Sequence, residues 1–282
     1  MKIVKSINEI RNFVKEAKSS GKSIGFVPTM GFLHQGHLSL VEKAKEENDF
    51  VVVSIYVNPT QFSPDEDFED YPRDMGSDSA KLEKLGVDCI FNPEHEEIYP
   101  EGFNTYITVN EITASLCGKS RPDHFKGVTT IVGKLFNIVQ ADKAYFGKKD
   151  YQQYLVIKKM VKELNFPLEV IGLPIVRESD GLAMSSRNKY LNQEERKQAT
   201  VLNRSLIMAE ELIKNDIKDV EKIKYDIIEM IEKESKAKID YVEILDARNL
   251  KEIESIGENT LIALAVYIGK TRLIDNIVIT LK

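Results

Sequence analysis

The sequence predicts an α/β fold: a Rossmann-type doubly wound parallel sheet with a smaller C-terminal α+β domain. In the first part of the chain, short apolar runs alternate with segments of helical periodicity, and the runs are apolar at nearly every position. Strands that are apolar on both faces are typical of a parallel sheet covered by helices. Past about Ile175 this alternation stops, and two helical patterns precede three strands. We therefore predict two domains, residues 1–175 and residues 176–282.

The first domain is predicted to begin with a helix. Ser6 and Glu9 form a capping-box signature, and apolar residues then recur at helical spacing until Gly21. Residues 50–57 (FVVVSIYV) are the clearest strand, because they are largely β-branched and are followed by an Asn-Pro pair. The other predicted strands are 24–27, 87–91, 144–146 and 168–173, and helices run through 38–44, 79–85, 127–139 and 151–164.

The second domain is predicted to contain two helices and three antiparallel strands. Asn192 and Glu195 are suited to cap a helix that carries an apolar stripe, and a second stripe marks another helix. The stripes are Leu202, Leu206, Ala209 and Ile213 in the first helix and Ile223, Ile227 and Ile231 in the second. The strands at 241–245, 261–268 and 273–279 have no long helix between them, so we expect them to be antiparallel.

Composition excludes several classes of protein. The chain has 282 residues with 39 Lys and Arg against 45 Asp and Glu, a formal net charge of −6. A general nucleic-acid binder needs a basic surface, so we expect no nucleic-acid partner, although a local phosphate site remains allowed. Cys89 and Cys117 are too few for a disulfide framework. The longest apolar stretch, 261–268, is far shorter than the ~18–20 residues that span a bilayer, so we predict a cytoplasmic protein.

The first candidate site is the segment PTMGFLHQGH, residues 28–37, between a strand and a helix. Doubly wound folds bind ligands at this edge of the sheet, and a helix N-terminus offers unpaired N–H groups. His34 and His37 are three residues apart and can face one phosphate together. Alternatively, the segment is a glycine-containing turn with two solvent-facing histidines. A zinc site is a weaker interpretation, because no further ligand lies at ligand spacing nearby.

Two further segments follow predicted strands at the same edge. NPTQF contains Gln61, whose amide donates and accepts hydrogen bonds without charge. FGKKDYQQ contains Lys148 and Lys149, which are suited to phosphate, and Asp150, which is suited to a ribose hydroxyl or a metal. Gln153 lies one helical turn beyond Asp150. The alternatives are a plain turn for the first segment and a capped helix start for the second.

The last polar segments lie in loops. AMSSRN brings Ser185, Ser186 and Arg187 together, and two hydroxyls with a guanidinium are suited to the β- and γ-phosphates of a nucleotide. A polar linker would look similar. RPDHFK, residues 121–126, is predicted to be a loop before a helix that serves as a lid or lines the ligand.

Six segments in this order resemble the pantothenate synthetase (pantoate–β-alanine ligase) family of the HxGH nucleotidyltransferase superfamily. They are PTMGFLHQGHLSL, IYVNPTQF, DYPRD, RPDHFKGV, FGKKDYQQ and DGLAMSSRNKYL. HxGH alone fits many adenylyltransferases, whereas the set of six is specific. The last segment is similar to the KMSKS signature of class I aminoacyl-tRNA synthetases.

The resemblance implies a two-step reaction with small-molecule substrates. The carboxylate of (R)-pantoate attacks the α-phosphorus of ATP to form pantoyl adenylate and pyrophosphate, and β-alanine then displaces AMP. ATP is a substrate, and Mg²⁺ is expected with it. The resemblance also implies a homodimer. It assigns catalysis to His37, the proton donor, and to His34, Lys149 and Arg187.

The resemblance also implies which residues bind each substrate. It assigns pantoate to Gln61 and Gln153, with Gln61 also near β-alanine. We expect residues 176–282 to form a lid that closes over the nucleotide. For Mg²⁺, Asp150 and the acidic stretch 65–74 are candidates. The residues assigned to ATP are Met30, Gly31, Phe32, Leu33, His34, Gln35, Gly36, His37, Gly147, Lys148, Lys149, Asp150, Val176, Met184, Ser185, Ser186 and Arg187.

Two other functions are compatible with these residues. Another HxGH adenylyltransferase, which makes a dinucleotide or activates an amino acid, would share the ATP chemistry, but Gln61 and Gln153 on the acceptor side favour pantoate. A non-catalytic nucleotide-binding regulator is the second. Four residues argue against it: His34, His37, Lys149 and Arg187.

Overall fold

The computed structural model describes residues 1–64 and 66–280. The chain divides into two compact units. The first unit contains Met1–Lys148 and Gln153–Pro174, and the second contains Lys149–Gln152 and Ile175–Lys282. In the described part of the chain, no helix is long and apolar enough to cross a membrane.

The first unit is built on a six-stranded parallel sheet, which confirms the predicted fold class. The strands are β1 (Lys2–Val4), β2 (Ile24–Thr29), β3 (Phe50–Ile55), β4 (Cys89–Phe91), β5 (Lys143–Gly147) and β6 (Glu169–Leu173). Their order in the sheet is β1-β4-β3-β2-β5-β6. The order reverses between β2 and β5, and the carboxyl ends of these two strands therefore flank the crevice in which doubly wound sheets bind ligands.

Helices cover this sheet on both sides, as its apolar strands require. The helices in this part of the chain are α1 (Ile7–Ser19), α2 (Gln35–Glu47), α3 (Met75–Lys84), α4 (His95–Ile98), α5 (Cys117–Ser120), α6 (His124–Val139) and α7 (Tyr151–Glu163). Phe26, Val27, Val52 and Val53 are consecutive pairs in β2 and β3, and none of them is exposed. Neighbouring residues of a strand point to opposite faces, so both faces of the sheet are covered.

The second unit, in the part that the structure describes, contains three helices and an antiparallel three-stranded sheet, and it confirms the α+β prediction. The helices are α8 (Gln193–Ala199), α9 (Val201–Lys214) and α10 (Val220–Glu232), and the strands are β7 (Ala237–Asp246), β8 (Thr260–Ile268) and β9 (Thr271–Ile279). The apolar stripes of α9 and α10 pack with the strands in one buried cluster. Burial of these stripes is what holds helices of this length in place.

The structure corrects the prediction near the start of the chain and before α6. Lys2–Val4 form an edge strand that pairs with β4. The sequence did not predict this strand, because three residues before a helix cap are too few to show a pattern. The helix predicted from residue 127 begins at His124, so half of the polar segment 121–126 is helical. The strand predicted over residues 50–57 ends at Ile55.

The predicted helix after the Asn192 cap is two helices rather than one. The cap is present, because the Asn192 side chain accepts hydrogen bonds from the N–H groups of Glu194 and Glu195, and it begins α8. Thr200 separates α8 from α9 while it keeps a helical backbone, and its hydroxyl donates to the Lys197 carbonyl at 2.7 Å. Hydrogen bonds of this kind bend helices.

Glu47, the last residue of α2, ties that helix to β5. Its carboxylate accepts hydrogen bonds from the Lys143 ammonium at 3.1 Å and the Tyr145 hydroxyl at 2.9 Å, and the Lys43 ammonium lies 3.1 Å away. These donors, Lys143 first, lower the pKa of Glu47 from 4.5 to about 2. Because the folded state has the lower pKa, the stabilisation is present above pH 4.5 and is lost as the pH falls toward 2.

We expect Glu47→Gln to lower the Tm at neutral pH, because an amide cannot replace the charge that Lys143 and Tyr145 contact. The difference in Tm from the wild type should shrink as the pH falls below 4.5. Thermal melts across this range measure the difference. Glu46→Gln is the matched control, since the exposed Glu46 carboxylate pairs with Lys43 at 3.2 Å on the surface of the same helix. A difference that does not change with pH would contradict the assignment.

Candidate functional site

The two histidines of the first candidate site form the N-terminal cap of α2. His34 is the N-cap residue, and its Nδ1 accepts the N–H of Gly36 at 3.2 Å. Nδ1 of His37 accepts the backbone N–H of His34 at 3.4 Å, so the pair makes a capping box with imidazoles in place of the usual oxygens. The rings lie against each other, with centroids 4.0 Å apart and planes tilted by 32°. The structure therefore brings both histidines together at a helix N-terminus.

This capping box selects the imidazole tautomer. A backbone N–H can only donate, so Nδ1 of His34 and of His37 must accept, and the ring proton of each neutral imidazole lies on Nε2. Nε2 is on the side of the ring away from the helix backbone. In its neutral form each ring therefore carries its N–H donor at Nε2, and both rings lie after the carboxyl end of β2.

Gln61 lies at the carboxyl end of β3, in a 3₁₀ turn over Pro59–Gln61. Its Oε1 accepts a hydrogen bond from Asn58 Nδ2 at 3.1 Å, which fixes the orientation of the amide. Its Nε2 is directed at Met30 Sδ, 3.1 Å away. Met30 follows β2, the strand next to β3, so the structure brings together one residue predicted for pantoate and one predicted for ATP.

Asn58 anchors this turn, and the sequence prediction did not assign it a role. It is 1% exposed, and its Nδ2 also donates to the Gly127 carbonyl at 3.2 Å, while the Tyr99 hydroxyl donates to its Oδ1 at 3.0 Å. Gly127 brings α6 close to the turn, since a Cβ at that position would lie 2.3 Å from the Thr60 carbonyl oxygen. The sequence signal for this role was the Asn-Pro pair after a buried strand.

The polar segment before α6 holds the backbone of Gln61. Arg121 forms a two-point ion pair with Glu66 and donates from Nη2 to the Gln61 carbonyl at 3.2 Å. His124 Nδ1 lies 2.9 Å from the same carbonyl, and it must carry the proton because a carbonyl only accepts. Burial acts to raise the pKa of Glu66, but Arg121 outweighs it, so this pKa is lowered. Within the first unit, Arg121 and His124 thus support Gln61.

The carboxyl end of β5 carries Gly147 and Lys148, and Gln153 is half-buried on the first turn of α7. Because β5 is the neighbour of β2, its end lies at the same edge of the sheet as the histidine loop. Gly172 in β6 makes room for the stem of Lys148, since a Cβ there would lie 2.9 Å from Lys148 Cε. Gly147 and Lys148 therefore lie at the same edge of the sheet as His34.

Lys149 and Asp150 belong to the second unit. The Lys149 carbonyl accepts a hydrogen bond from Asn276 Nδ2 in β9 at 2.8 Å, and the Tyr151 hydroxyl donates to the Ala247 carbonyl at 3.1 Å. Lys149 Nζ lies 3.8 Å from Asp150 Oδ2. This short stretch is therefore held by the second unit, although it directly follows β5 in the sequence.

The predicted nucleotide residues of the second unit lie in and after a tight hairpin. Met184 N donates to the Val176 carbonyl at 3.0 Å, and Gly181, with φ of +90°, makes the turn. Ser185 Oγ accepts the N–H of Arg187 at 3.3 Å and caps a 3₁₀ turn over Ser186–Tyr190. The hairpin therefore ends where the Ser-Ser-Arg sequence begins.

Two arginines fix this hairpin. Arg196 in α8 binds both Glu178 and Asp180 of the hairpin, at 2.8 and 2.7 Å. Arg177 binds both oxygens of Asp275 in β9, at 2.6 and 2.9 Å, and the Asp275 side chain is fully buried. A buried carboxylate requires such a partner, so the base of the hairpin is held to the sheet of the second unit.

Two residues of the acidic stretch 65–74, a candidate for Mg²⁺, differ in what the structure says of them. Asp65 lies outside the described residues. Asp74 caps α3, because its Oδ1 accepts the N–H of Ser77 at 2.9 Å. Across residues 1–64 and 66–280, no group of three or more His, Cys, Asp and Glu is arranged to hold a metal ion.

Comparisons with known proteins place the chain in a family. A family model described as pantoate-beta-alanine ligase matches residues 2–278. The chain is 57% identical over 279 residues to a pantothenate synthetase from Fervidobacterium nodosum, with 99% of each chain covered.

Solved structures agree with this match. A pantothenate synthetase from Thermus thermophilus is 45% identical with a TM-score of 0.94, over 98% of this chain and 99% of that one. A pantoate-beta-alanine ligase from Francisella tularensis, complexed with beta-gamma ATP and beta-alanine, is 38% identical with a TM-score of 0.81, over 99% and 97%. The chain therefore belongs to the pantoate–β-alanine ligase family, whose members are enzymes that join pantoate to β-alanine.

Proposed function

We propose that this enzyme condenses (R)-pantoate with β-alanine in an ATP-dependent reaction that passes through pantoyl adenylate and releases AMP and pyrophosphate. In the first step, a pantoate carboxylate oxygen bonds to the α-phosphorus of ATP, and the bond from that phosphorus to the β-bridging oxygen breaks. In the second step, the neutral amine of β-alanine bonds to the acyl carbon and the bond from that carbon to the AMP oxygen breaks. AMP leaves with the former carboxylate oxygen, and the nitrogen releases one proton to solvent. The Francisella relative that was crystallised with beta-gamma ATP and beta-alanine supports both substrates.

The imidazole capping box is the observation that carries this proposal. With Nδ1 occupied by a backbone N–H, His34 and His37 each offer one Nε2–H to a phosphate oxygen. Negative charge builds on the oxygen between the α- and β-phosphorus as pyrophosphate leaves, and fixed donors aimed at that charge lower the barrier. In this proposal His37 donates a hydrogen bond from Nε2–H, because its Nδ1 accepts the backbone N–H of His34.

The first step needs no general base. The pantoate carboxylate is already ionised at neutral pH, so catalysis depends on positioning and on stabilising the phosphate charge. Gln61 is suited to position pantoate, because its NH₂ group has two hydrogens, one of which is directed at Met30 Sδ. We assign the other hydrogen to pantoate, and we assign Gln153 to the same substrate. An arginine in place of these amides would hold the attacking carboxylate too strongly.

The second unit supplies its own ligands for ATP in this proposal. Lys149 and Arg187 carry the charge for the phosphates, and Ser185 and Ser186 carry hydroxyl donors. The backbone of Val176 completes the nucleotide site, and residues 176–282 act as the lid. Mg²⁺ arrives as the partner of ATP, since it binds mainly through substrate phosphates with one or two carboxylates. We also propose that the enzyme is a cytoplasmic homodimer, which sedimentation and cell fractionation test.

The decisive experiment follows the products and one oxygen atom. Incubation with pantoate, β-alanine and MgATP should yield pantothenate, AMP and pyrophosphate. With ¹⁸O in the pantoate carboxylate, one label should appear in AMP, because that oxygen bridges the acyl carbon and phosphorus in the adenylate. Pantoate alone should support exchange of pyrophosphate into ATP. Label in phosphate with ADP as product would exclude the adenylate, and activity only with other acids or nucleotides would exclude the substrate assignment.

A further inference from the structure

The loop before the histidines is held by a buried carboxylate from α3. Asp78 is 1% exposed, and each of its oxygens accepts a backbone N–H: Oδ2 from Phe32 and Oδ1 from Leu33, both at 2.7 Å. Leu33 directly precedes His34, the N-cap of α2. The carboxylate thus contacts the two residues that lead into the capping box.

The backbone of this loop needs such support. Gly31 has φ of +83° and Phe32 has φ of +51°. This is the left-handed region of backbone conformation, which costs free energy for residues other than glycine, here Phe32. A Cβ at Gly31 would lie 3.0 Å from Ile55 and 3.1 Å from Asp78 Oδ2, so the loop runs directly against the carboxylate. A strained conformation persists only where its surroundings determine it, and here the surroundings are two short hydrogen bonds.

A second residue of α3 also binds the loop, but as a hydrogen-bond donor to a backbone carbonyl rather than as an acceptor. Lys81, three residues after Asp78, donates from Nζ to the Leu33 carbonyl at 2.7 Å. Both backbone polar groups of Leu33 are therefore occupied by side chains of α3. Asp78 therefore fixes the peptide that enters Leu33, and Lys81 fixes the next one, which enters His34.

We propose that Asp78 is a positioning residue for His34 and His37, and that its carboxylate determines the positions of their Nε2–H groups. This inference rests on the proposed adenylate chemistry. Asp78 does not touch substrate in this role; it acts through the loop and through the capping box. Lys81 contributes to the same positioning from the carbonyl side.

The cost of burying this carboxylate supports a positioning role. Burial raises the pKa of Asp78, and the N–H groups of Leu33 and Phe32 offset this only in part. An apolar residue facing the core beside Leu82 would avoid that cost but would leave two loop N–H groups unsatisfied. The residue is therefore explained by what it does for the loop rather than by the packing of α3.

The test compares two isosteric changes. Asp78→Asn replaces one acceptor oxygen by an NH₂ group that faces a backbone N–H, so one of the two bonds is lost. Asp142→Asn is the matched control: its Oδ2 accepts the Ile24 N–H at 2.7 Å, at the opposite end of β2 from the histidine loop. Each variant is assayed for pantoate-dependent pyrophosphate exchange, for conversion of supplied pantoyl adenylate to pantothenate, and for Tm.

We expect Asp78→Asn to lose ~10²-fold in kcat for adenylate formation, because a small misplacement of catalytic donors has an effect of this size. The KM for ATP should change less, since the donors act mainly on charge that develops in the transition state. Conversion of supplied adenylate should stay close to wild type, and Asp142→Asn should match wild type in both half-reactions. The ¹⁵N signals of the His34 and His37 rings should lose the Nε2–H tautomer pattern in Asp78→Asn alone.

Either of two results would overturn the inference. One is full pyrophosphate exchange in Asp78→Asn, and the other is an equal loss in both half-reactions that follows the fall in Tm. If Asp78→Asn does not fold, Lys81→Met is judged by the same criteria, with a smaller loss of exchange expected. A wild type that makes no pantothenate would instead refute the proposed function, so the two failures are distinct.

Discussion

His37→Ala is expected to lose roughly 10²–10³-fold in the rate of adenylate formation while the fold is retained, because one donor to developing charge has an effect of this size. The variant removes Nε2–H and also the Nδ1 acceptor for the His34 N–H. Loss of a cap costs about 0.5–2 kcal/mol of stability, which a protein of this size tolerates. Single-turnover formation of adenylate measures the catalytic part, and circular dichroism with Tm measures the structural part.

Two further variants separate the cap from the donor. His37→Asn places an amide oxygen near the position of Nδ1, so it keeps the acceptor for the His34 N–H and loses the distant donor. His37→Gln places an amide NH₂ near the position of Nε2 and loses the acceptor. We expect the Tm to recover in the first and part of the activity to recover in the second. Full activity in His37→Asn would show that the Nε2–H donor is not required.

Gln61→Ala is the second large effect that we expect. The side chain holds the second hydrogen for pantoate, so its loss should raise the KM for pantoate and lower kcat/KM by roughly 10²-fold, as expected for loss of a positioning contact. The affinity for ATP should change little, because the His34 and His37 donors stay in place. Steady-state kinetics with each substrate varied in turn measure the difference.

Two controls sharpen this result. Gln61→Glu keeps the shape of the side chain but places a negative charge beside the pantoate carboxylate, so its KM for pantoate should exceed that of Gln61→Ala. Gln193→Ala, on the exposed first turn of α8 in the second unit, should match the wild type in all constants. Unchanged pantoate kinetics in Gln61→Ala would remove Gln61 from the substrate site.

Much of the fold followed from local sequence patterns. The capping box at Ser6 began α1 as predicted, and the apolar run at Phe50–Ile55 became a central strand. β1 was missed because three residues contain no full period, and they become a strand only by pairing with β4. The bend at Thr200 was also missed, because its backbone stays helical and the apolar spacing continues across it.

The sequence predicted some residues of the candidate site and missed the role of the residues that hold them in place, for a physical reason. His34 and Gln61 stood out because polar residues after buried strands meet at one edge of a parallel sheet. The residues that hold them in place were not predicted for this role. Asp78 lies on a helix whose sequence is that of an ordinary amphipathic segment, and Arg121 contacts Glu66, which is 55 positions away in the chain. Contacts between residues so far apart in sequence have no local signature.

The sequence by itself determined the class of the fold and the family, because periodicity, composition and motifs are properties of the chain. The residues that it assigns to phosphate stay a prediction. The tertiary structure alone decided how those residues are set: which ring nitrogen of His37 carries the proton, which way the amide of Gln61 faces, and which buried carboxylate holds the loop. The first two depend on hydrogen bonds within single turns, at 3.4 Å for His37 and 3.1 Å for Gln61. The third depends on two bonds at 2.7 Å from the loop to Asp78, which lies at least 45 positions away in the chain. The Asp78 bonds form only after α3 has packed against the loop, and the turn of Gln61 depends on packing as well, because Asn58 is held by the Gly127 carbonyl and the Tyr99 hydroxyl.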